Sequence, residues 1–324
     1  MQYNTFGRTG WQVSEIAFGA WQLGGTWGDI SDQEAISTLV HAFGQGINFV
    51  DTAAAYGNGR SETLVGKAVA ARKSEDIFVA TKVLPRGVVD GEPDLSSIKN
   101  QYPTDYLTQQ IDDALVRLDR DHIDLLQLHL WIEDGTRNFD WLEGAAKALI
   151  DGKIRAIGVS LPDIQPETGV ALAKTGLVSS IQVLFNIFEQ APRDALFPAG
   201  KHIQTAFIGR VPLDSGSLSG TWNNATYAQW SKSDKRSEMY RGGRFEETLN
   251  RVEAVKEVCA PYFENLAEAA LRYCLSEHGI STIACGMRNQ TEVDMNVAFS
   301  DGGVFPSEMR QALEGHAWRH SFYQ

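Results

Sequence analysis

Two hydrophobic periods take turns along this chain. Short apolar runs bounded by Gly, Asn and Asp read as buried strands, and amphipathic stretches with apolar positions three and four apart read as helices. Residues 2–6 and 11–14 alternate around Gly7-Arg8-Thr9-Gly10 and predict a hairpin. Ile16 to Ala20 predicts the first strand of a longer series. Ser31 with Glu34 three residues on forms a capping box, and Ile36, Leu39, Val40 and Phe43 share the face of the helix behind it. Strand 47–51 then leads to helix 61–71, and strand 76–83 to helix 104–119, where Leu107, Ile111, Leu115 and Leu118 line one face. Strands 123–130, 154–160, 179–184 and 203–209 precede helices 137–151, 167–175, 191–199 and 245–258. An extra helix, 263–278, comes before strand 281–285 and helix 289–299, and residues 306–318 predict a final helix.

Counted from Ile16, eight strands are each followed by a helix, with no break in composition. That pattern predicts one (β/α)8 TIM barrel over residues 1–324, with an N-terminal β-hairpin and extra helices. A doubly wound open sheet is the alternative, but it calls for Gly-x-Gly-x-x-Gly after the first strand; Gly24-Gly25 and Gly28 do not make that turn. Two connections, 84–103 and 211–244, are long enough to be binding loops or lids. For the segment 221–244, with Trp222, Tyr227 and Trp230, three roles fit: a cofactor-clamping lid, a mobile loop or a subunit contact.

Composition narrows the partners. A formal net charge of −12 argues against non-specific binding to nucleic acid or anionic membranes. Three cysteines, Cys259, Cys274 and Cys285, have no metal-ligand or disulfide spacing and fit a reducing compartment. The first residues carry no apolar signal-peptide core, and no apolar run approaches eighteen residues, so the expectation is a soluble cytoplasmic protein whose partner is a small molecule.

In a barrel, chemistry gathers at the C-terminal ends of the strands. Polar residues there include Asp51, Lys82 and His129, on three successive strands, with Tyr56 in the turn after Asp51. Period-two alternation puts Ile47, Phe49 and Asp51 on one side of their strand, and Leu125, Gln127 and His129 on one side of theirs. Taken singly, Asp51 reads as a cap, Tyr56 as a packed loop residue, Lys82 as a solvated charge and His129 as a semi-buried histidine. Together they make a proton-donor site. An ammonium lowers the pKa of a neighbouring phenol from its ordinary value of about 10, a carboxylate holds the ammonium, and an imidazole donates to a substrate oxygen. Such an acid, without a nucleophile or a metal, suits protonation of a carbonyl oxygen while a cofactor supplies hydride.

The stretch Asp51-Thr52-Ala53-x-x-Tyr56-Gly57-x-Gly59-x-Ser61-Glu62, with Thr81-Lys82, Leu128-His129 and Gly158-Val159-Ser160, resembles the motifs of the aldo-keto reductase family from about residue 3 to residue 300. The resemblance implies a (β/α)8 barrel and NAD(P)H-dependent interconversion of carbonyl and alcohol. Tyr56 would be the general acid, Asp51 and Lys82 would tune it, and His129 would orient the carbonyl. Ser160 and Gln182 correspond to nicotinamide-carboxamide ligands, although the residue after Ser160 is Leu161 where Asn is frequent. Arg210, Val211, Pro212, Leu213, Asp214, Gly216, Ser217 and Leu218 correspond to the loop over the pyrophosphate, with Arg210 where the family commonly stacks an aromatic ring on the nicotinamide. Gly286, Arg288, Glu292 and Asn296 correspond to the adenosine-phosphate site. Arg288 implies NADP(H), with NAD(H) as the alternative because Glu292 puts a carboxylate there. Trp21 would face both cofactor and substrate, and Trp27 and Trp131 the substrate. The resemblance leaves three functions open: reduction of a small carbonyl compound such as a sugar-derived one, NAD-linked oxidation of a sugar or polyol, and a cofactor-sensing regulatory role similar to potassium-channel β subunits. Oligomeric state is not implied.

Overall fold

The computed structural model describes residues 1–72, 76–86, 88 and 97–322. Strands β1 (Tyr3–Thr5) and β2 (Gln12–Ser14) pair antiparallel as the expected hairpin. The next eight strands form a closed parallel barrel: β3 (Ile16–Gly19), β4 (Phe49–Asp51), β5 (Phe78–Val83), β6 (Ile123–His129), β7 (Ile154–Ser160), β8 (Ser180–Leu184), β9 (Ala206–Arg210) and β10 (Ile280–Gly286). They follow one another in chain order around the ring, and β10 closes on β3. This is the (β/α)8 architecture that the alternation predicts. Among the described residues no helix is long and apolar enough to cross a membrane.

The barrel interior is filled by side chains of unequal size. Ala17, Ala80, Ala156 and Ala284 leave room for Phe49, Leu125 and Ile208, so the centre is packed rather than hollow. The hairpin plugs the N-terminal end: Phe6, fully buried, lies 5.3 Å from the Phe49 ring, and Trp11 stacks on Phe78 at 5.0 Å. Burying a ring of that size contributes about 2–3 kcal/mol. With that end sealed, the opposite mouth is the accessible one. Ile47 departs from the parity expected of it. The strand begins only at Phe49, and Ile47 joins the apolar layer outside the barrel.

The stronger helices form where the pattern is amphipathic. Helix α1 (Asp32–Gly44) carries the Ser31–Glu34 capping box, and α2 (Arg60–Ala70), α4 (Thr104–Leu118), α5 (Asp140–Ile150), α10 (Arg244–Cys259) and α12 (Gln290–Ala298) lie within a few residues of expectation. Four expected helices are shorter. In 167–175 a 3-10 turn leads into α6 (Val170–Ala173), and in 191–199 a turn at Ala191–Arg193 precedes α7 (Leu196–Gly200), where Pro166, Pro192 and Pro198 withhold backbone donors. The last helix, α13 (Ser307–Glu314), stops at Gly315, and residues 316–322 continue as an irregular tail back to the barrel mouth. Strand β9 starts at Ala206 rather than 203, because Gln204 turns into the left-handed region and accepts the Arg8 N–H. Much of the long 84–103 loop lies outside the described residues; its end forms α3 (Ile98–Gln101). The 211–244 loop contains a 3-10 segment (Asp214–Ser219) and two short helices, α8 (Thr226–Gln229) and α9 (Lys235–Met239). The extra helix expected over 263–278 is α11 (Leu266–Leu275), three residues shorter at each end.

Candidate active site

The turn after β4 is fixed before any functional side chain is placed. Thr52 Oγ1 donates to Ser61 Oγ at 2.8 Å, and Ser61 Oγ donates to the Ala20 carbonyl at 2.8 Å, tying the turn to β3. Glu62, fully buried, accepts from Thr81 Oγ1 at 2.6 Å and Arg117 Nε at 2.5 Å, tying α2 to β5 and α4. Gly57, at φ +64°, lies against the backbone of Gly24; a Cβ on it would come within 2.4 Å of the Gly24 carbonyl oxygen. That close approach brings the Trp21 loop onto the Tyr56 turn.

On this frame the four expected catalytic residues converge. Lys82, with its side chain fully buried, donates to Asp51 Oδ2 (2.7 Å), the Thr52 carbonyl (2.8 Å) and Tyr56 Oη (3.1 Å). All three ammonium protons thereby have acceptors. The other Asp51 oxygen accepts from Gln127 (3.2 Å) and Gln182 (3.0 Å). His129 stands edge-on to the Tyr56 ring, with centroids 6.1 Å apart, and its buried Nδ1 has no hydrogen-bond partner among the described residues.

Electrostatics sort the protons. Burial works to lower the Lys82 pKa, but Asp51 and Tyr56 outweigh it and the net shift is upward, so the amine is an ammonium. Burial pushes the Tyr56 phenol up; Lys82 and Arg210 pull it down, but the net direction is upward. The expected net lowering by Lys82 is therefore corrected: its effect is present, but desolvation is larger. At neutral pH Tyr56 is a phenol with a proton to give. Burial, then Lys82 and Arg210, hold His129 well below the ordinary histidine value, so its imidazole is neutral.

A cavity of about 860 Å³ opens above this group, within the size range of small-ligand sites. Trp21, Trp27, Asp51, Tyr56, His129, Ser160 and Gln182 line it. So do Arg210, Val211, Pro212, Leu213 and Gly216, and Gly286, Arg288, Glu292 and Asn296 lie along the same cavity. Asp214, Ser217 and Leu218 are buried behind that lining and shape the loop from within. The structure does not bring Trp131 to the cavity. Its ring, 1 % exposed, packs edge-on against Trp141 at 5.6 Å, and its indole N–H donates to the Thr168 carbonyl at 3.1 Å, so it is a wall residue and not a lining one. Gln182 lines the cavity with its amide N–H turned to Asp51.

Two residues that the sequence does not single out complete the rim. Asp163 pairs with Arg210, whose guanidinium also donates to the Leu161 carbonyl at 3.2 Å. Ser321, from the C-terminal tail, donates to Asp163 at 3.0 Å. Both pairings join distant chain segments, and no local spacing announces them.

The cavity suits an elongated dinucleotide. Two of its lining residues each hold a buried polar atom lacking a partner among the described residues, His129 Nδ1 and Asn296 Oδ1. Along the same cavity, Val211, Asp214, Ser215 and Gly216 have positive φ, a tight turn closed by the Asp214 N–H on the Val211 carbonyl and the Gly216 N–H on the Leu213 carbonyl. Asn289 caps α12, so a helix N-terminus opens beside the lining residues Arg288 and Glu292.

The chain matches the family described as the Aldo/keto reductase family over residues 15–317. It is 29% identical over 299 residues to aldo-keto reductase YhdN of Bacillus subtilis, covering 91% of this chain and 87% of that one. Among solved structures, aldo-keto reductase AKR11C1 from Bacillus halodurans, in its holo form, superposes with a TM-score of 0.78 at 26% identity, covering 100% of this chain and 99% of that one. Glycerol dehydrogenase AKR11B4 from Gluconobacter oxydans gives 0.76 at 27% identity, covering 94% and 92%. A match that spans the whole barrel, joined to a site and cavity of this build, places the chain in the aldo/keto reductase family, oxidoreductases that interconvert carbonyl compounds and alcohols with a nicotinamide cofactor.

Proposed function

We propose that this protein reduces a small aldehyde or ketone with NADP(H), Tyr56 serving as the proton donor. The observation that carries the reading is the triple contact of the Lys82 ammonium with Asp51, Thr52 and Tyr56 beneath an open cavity. Bound in that cavity, the dinucleotide supplies the hydride.

The protein's own residues do the rest. Tyr56 holds a phenolic proton at the cavity floor, and the Lys82 ammonium beside it stabilises the phenolate left when the proton goes. Asp51 keeps Lys82 charged and immobile; Gln127 and Gln182 keep Asp51 in place. Neutral His129, with a ring nitrogen lacking a protein partner, donates its one N–H to the substrate carbonyl oxygen and so orients it toward Tyr56. Trp21 and Trp27, edge-on at 4.9 Å, wall off one side and exclude water. Ser160, Gln182 and the 211–218 loop would hold the nicotinamide and pyrophosphate. Arg288 and the N-terminus of α12 would hold the adenosine end, where a guanidinium suits the 2′-phosphate.

The polyol-oxidising direction has its own support in the fold similarity to the glycerol dehydrogenase. In that direction Tyr56 works as base. Purified protein incubated with NADPH and a panel of small aldehydes should consume the cofactor, and the same protein with NADP and a small polyol should produce NADPH more slowly at neutral pH. No turnover in either direction, with both cofactors tried, would contradict the reading.

A further inference from the structure

The loop assigned to the pyrophosphate is a strained piece of backbone. Val211 (φ 58°), Asp214 (φ 45°) and Ser215 (φ 57°) are L-residues in the left-handed region, followed by Gly216 at 101°. Each non-glycine there costs about 1 kcal/mol or more, and a β-branched valine more than most. Such a turn persists only if its surroundings hold it. Asn186 donates to the Val211 carbonyl at 3.0 Å, Ser217 to Asp214 Oδ2 at 2.6 Å, and Tyr240 to the Asp214 carbonyl at 3.2 Å.

A further anchor comes from the C-terminal tail. His320 Nε2 lies 3.2 Å from Asp214 Oδ1, with the two side chains 11% and 7% exposed. His320 Nδ1 lies 2.9 Å from the Trp318 carbonyl. Both partners are acceptors, so an imidazolium, with a proton on each ring nitrogen, is the form that satisfies both contacts. Aromatic groups hold it in place: Trp318 stacks on it at 3.8 Å, and Phe322 and Phe188 close the other sides at 4.7 and 6.1 Å. The next tail residue, Ser321, reaches Asp163 and through it Arg210. The tail thus touches the phosphate loop and the rim of the substrate pocket at once.

We propose that His320 is a positioning residue for the dinucleotide. As an imidazolium it pins Asp214 and thereby holds the left-handed turn in the form that grips the pyrophosphate, so cofactor affinity falls when the ring loses its charge. This rests on the reading of the 211–218 loop as the pyrophosphate site. The charged groups around the ring favour the protonated form. Asp214 faces it directly, and the carboxylate of Glu189 lies close by. Against them stand the neighbouring Arg319, paired with Glu189 and Glu167, and Arg251 and Arg244, which lie over Trp318 and Phe322. Burial works to lower the His320 pKa, but the Asp214 contact and the Trp318 carbonyl outweigh it and the net shift is upward. With the folded value raised, the anchor is complete at acidic pH and is lost as pH rises through that value.

The test is the dissociation constant of NADH, which carries no phosphate monoester that titrates in this range, followed by quenching of tryptophan fluorescence from mildly acidic to mildly alkaline pH. For the unmodified protein the constant should rise about tenfold on the alkaline side. His320→Gln keeps one donor and should bind several-fold more weakly at acidic pH, with the pH dependence gone; His320→Ala should be weaker still and equally flat. A His320→Gln protein with the same affinity and the same pH slope as the original overturns the inference. Should neither variant fold, the unmodified profile decides, and a flat one overturns it. Failure of the unmodified protein to bind NADH or NADPH at any pH would overturn the functional reading, and this inference with it.

Discussion

Lys82 decides the behaviour of the site at the scale of single residues. It is a buried cation whose three donors are all used, one of them on Tyr56. Because burial leaves the Tyr56 pKa above its ordinary value, the acid form persists through neutral pH and is lost only at alkaline pH. Reductive kcat/KM should therefore be level across the neutral range and fall on the alkaline side, while oxidative kcat/KM, which needs the phenolate, should climb with pH. Steady-state profiles in the two directions check this; a reductive profile falling through neutrality would contradict it. Replacing Lys82 with Met strands the Asp51 carboxylate in the interior with only amide donors. Unfolding in urea should show a loss of about 3 kcal/mol, and reductive turnover should drop by orders of magnitude.

Among the elements, the N-terminus of α12 is where the proposed adenosine-phosphate site would distinguish NADPH from NADH. Glu292 accepts from the Arg288 backbone N–H at 2.8 Å and faces its guanidinium at 3.4 Å, so a carboxylate already engages the groups proposed to hold the phosphate. Glu292→Gln keeps an acceptor for the helix end and removes the charge. It should tighten NADPH about tenfold, or about 1.4 kcal/mol, and leave NADH nearly unchanged in direct titrations. Elements of this kind were legible from sequence wherever one periodicity dominated. The Ser31–Glu34 box, the face of α4 and the inward parity of Gln127 and His129 follow from spacing alone. The short helices after β7 and β8 were not, because their prolines and tertiary contacts override the weak apolar pattern.

Across the whole molecule, the barrel does what no local stretch can: it brings Asp51 and Gln182, 131 positions apart, into one hydrogen bond. The sequence placed Asp51, Tyr56, Lys82 and His129 together because strand order and parity convert position into proximity. It could not place Asp163 against Arg210, Trp131 inside the wall, or His320 against Asp214. Those depend on how loops and the tail fold back, and loops carry no period. The proposed proton donor is one of the four residues that were legible, and a single substitution isolates it. Tyr56→Phe removes a single oxygen, and the protein should bind NADPH within about twofold of the original while losing carbonyl reduction by at least about a thousandfold. Reduction at an unaltered rate in that variant would contradict the account.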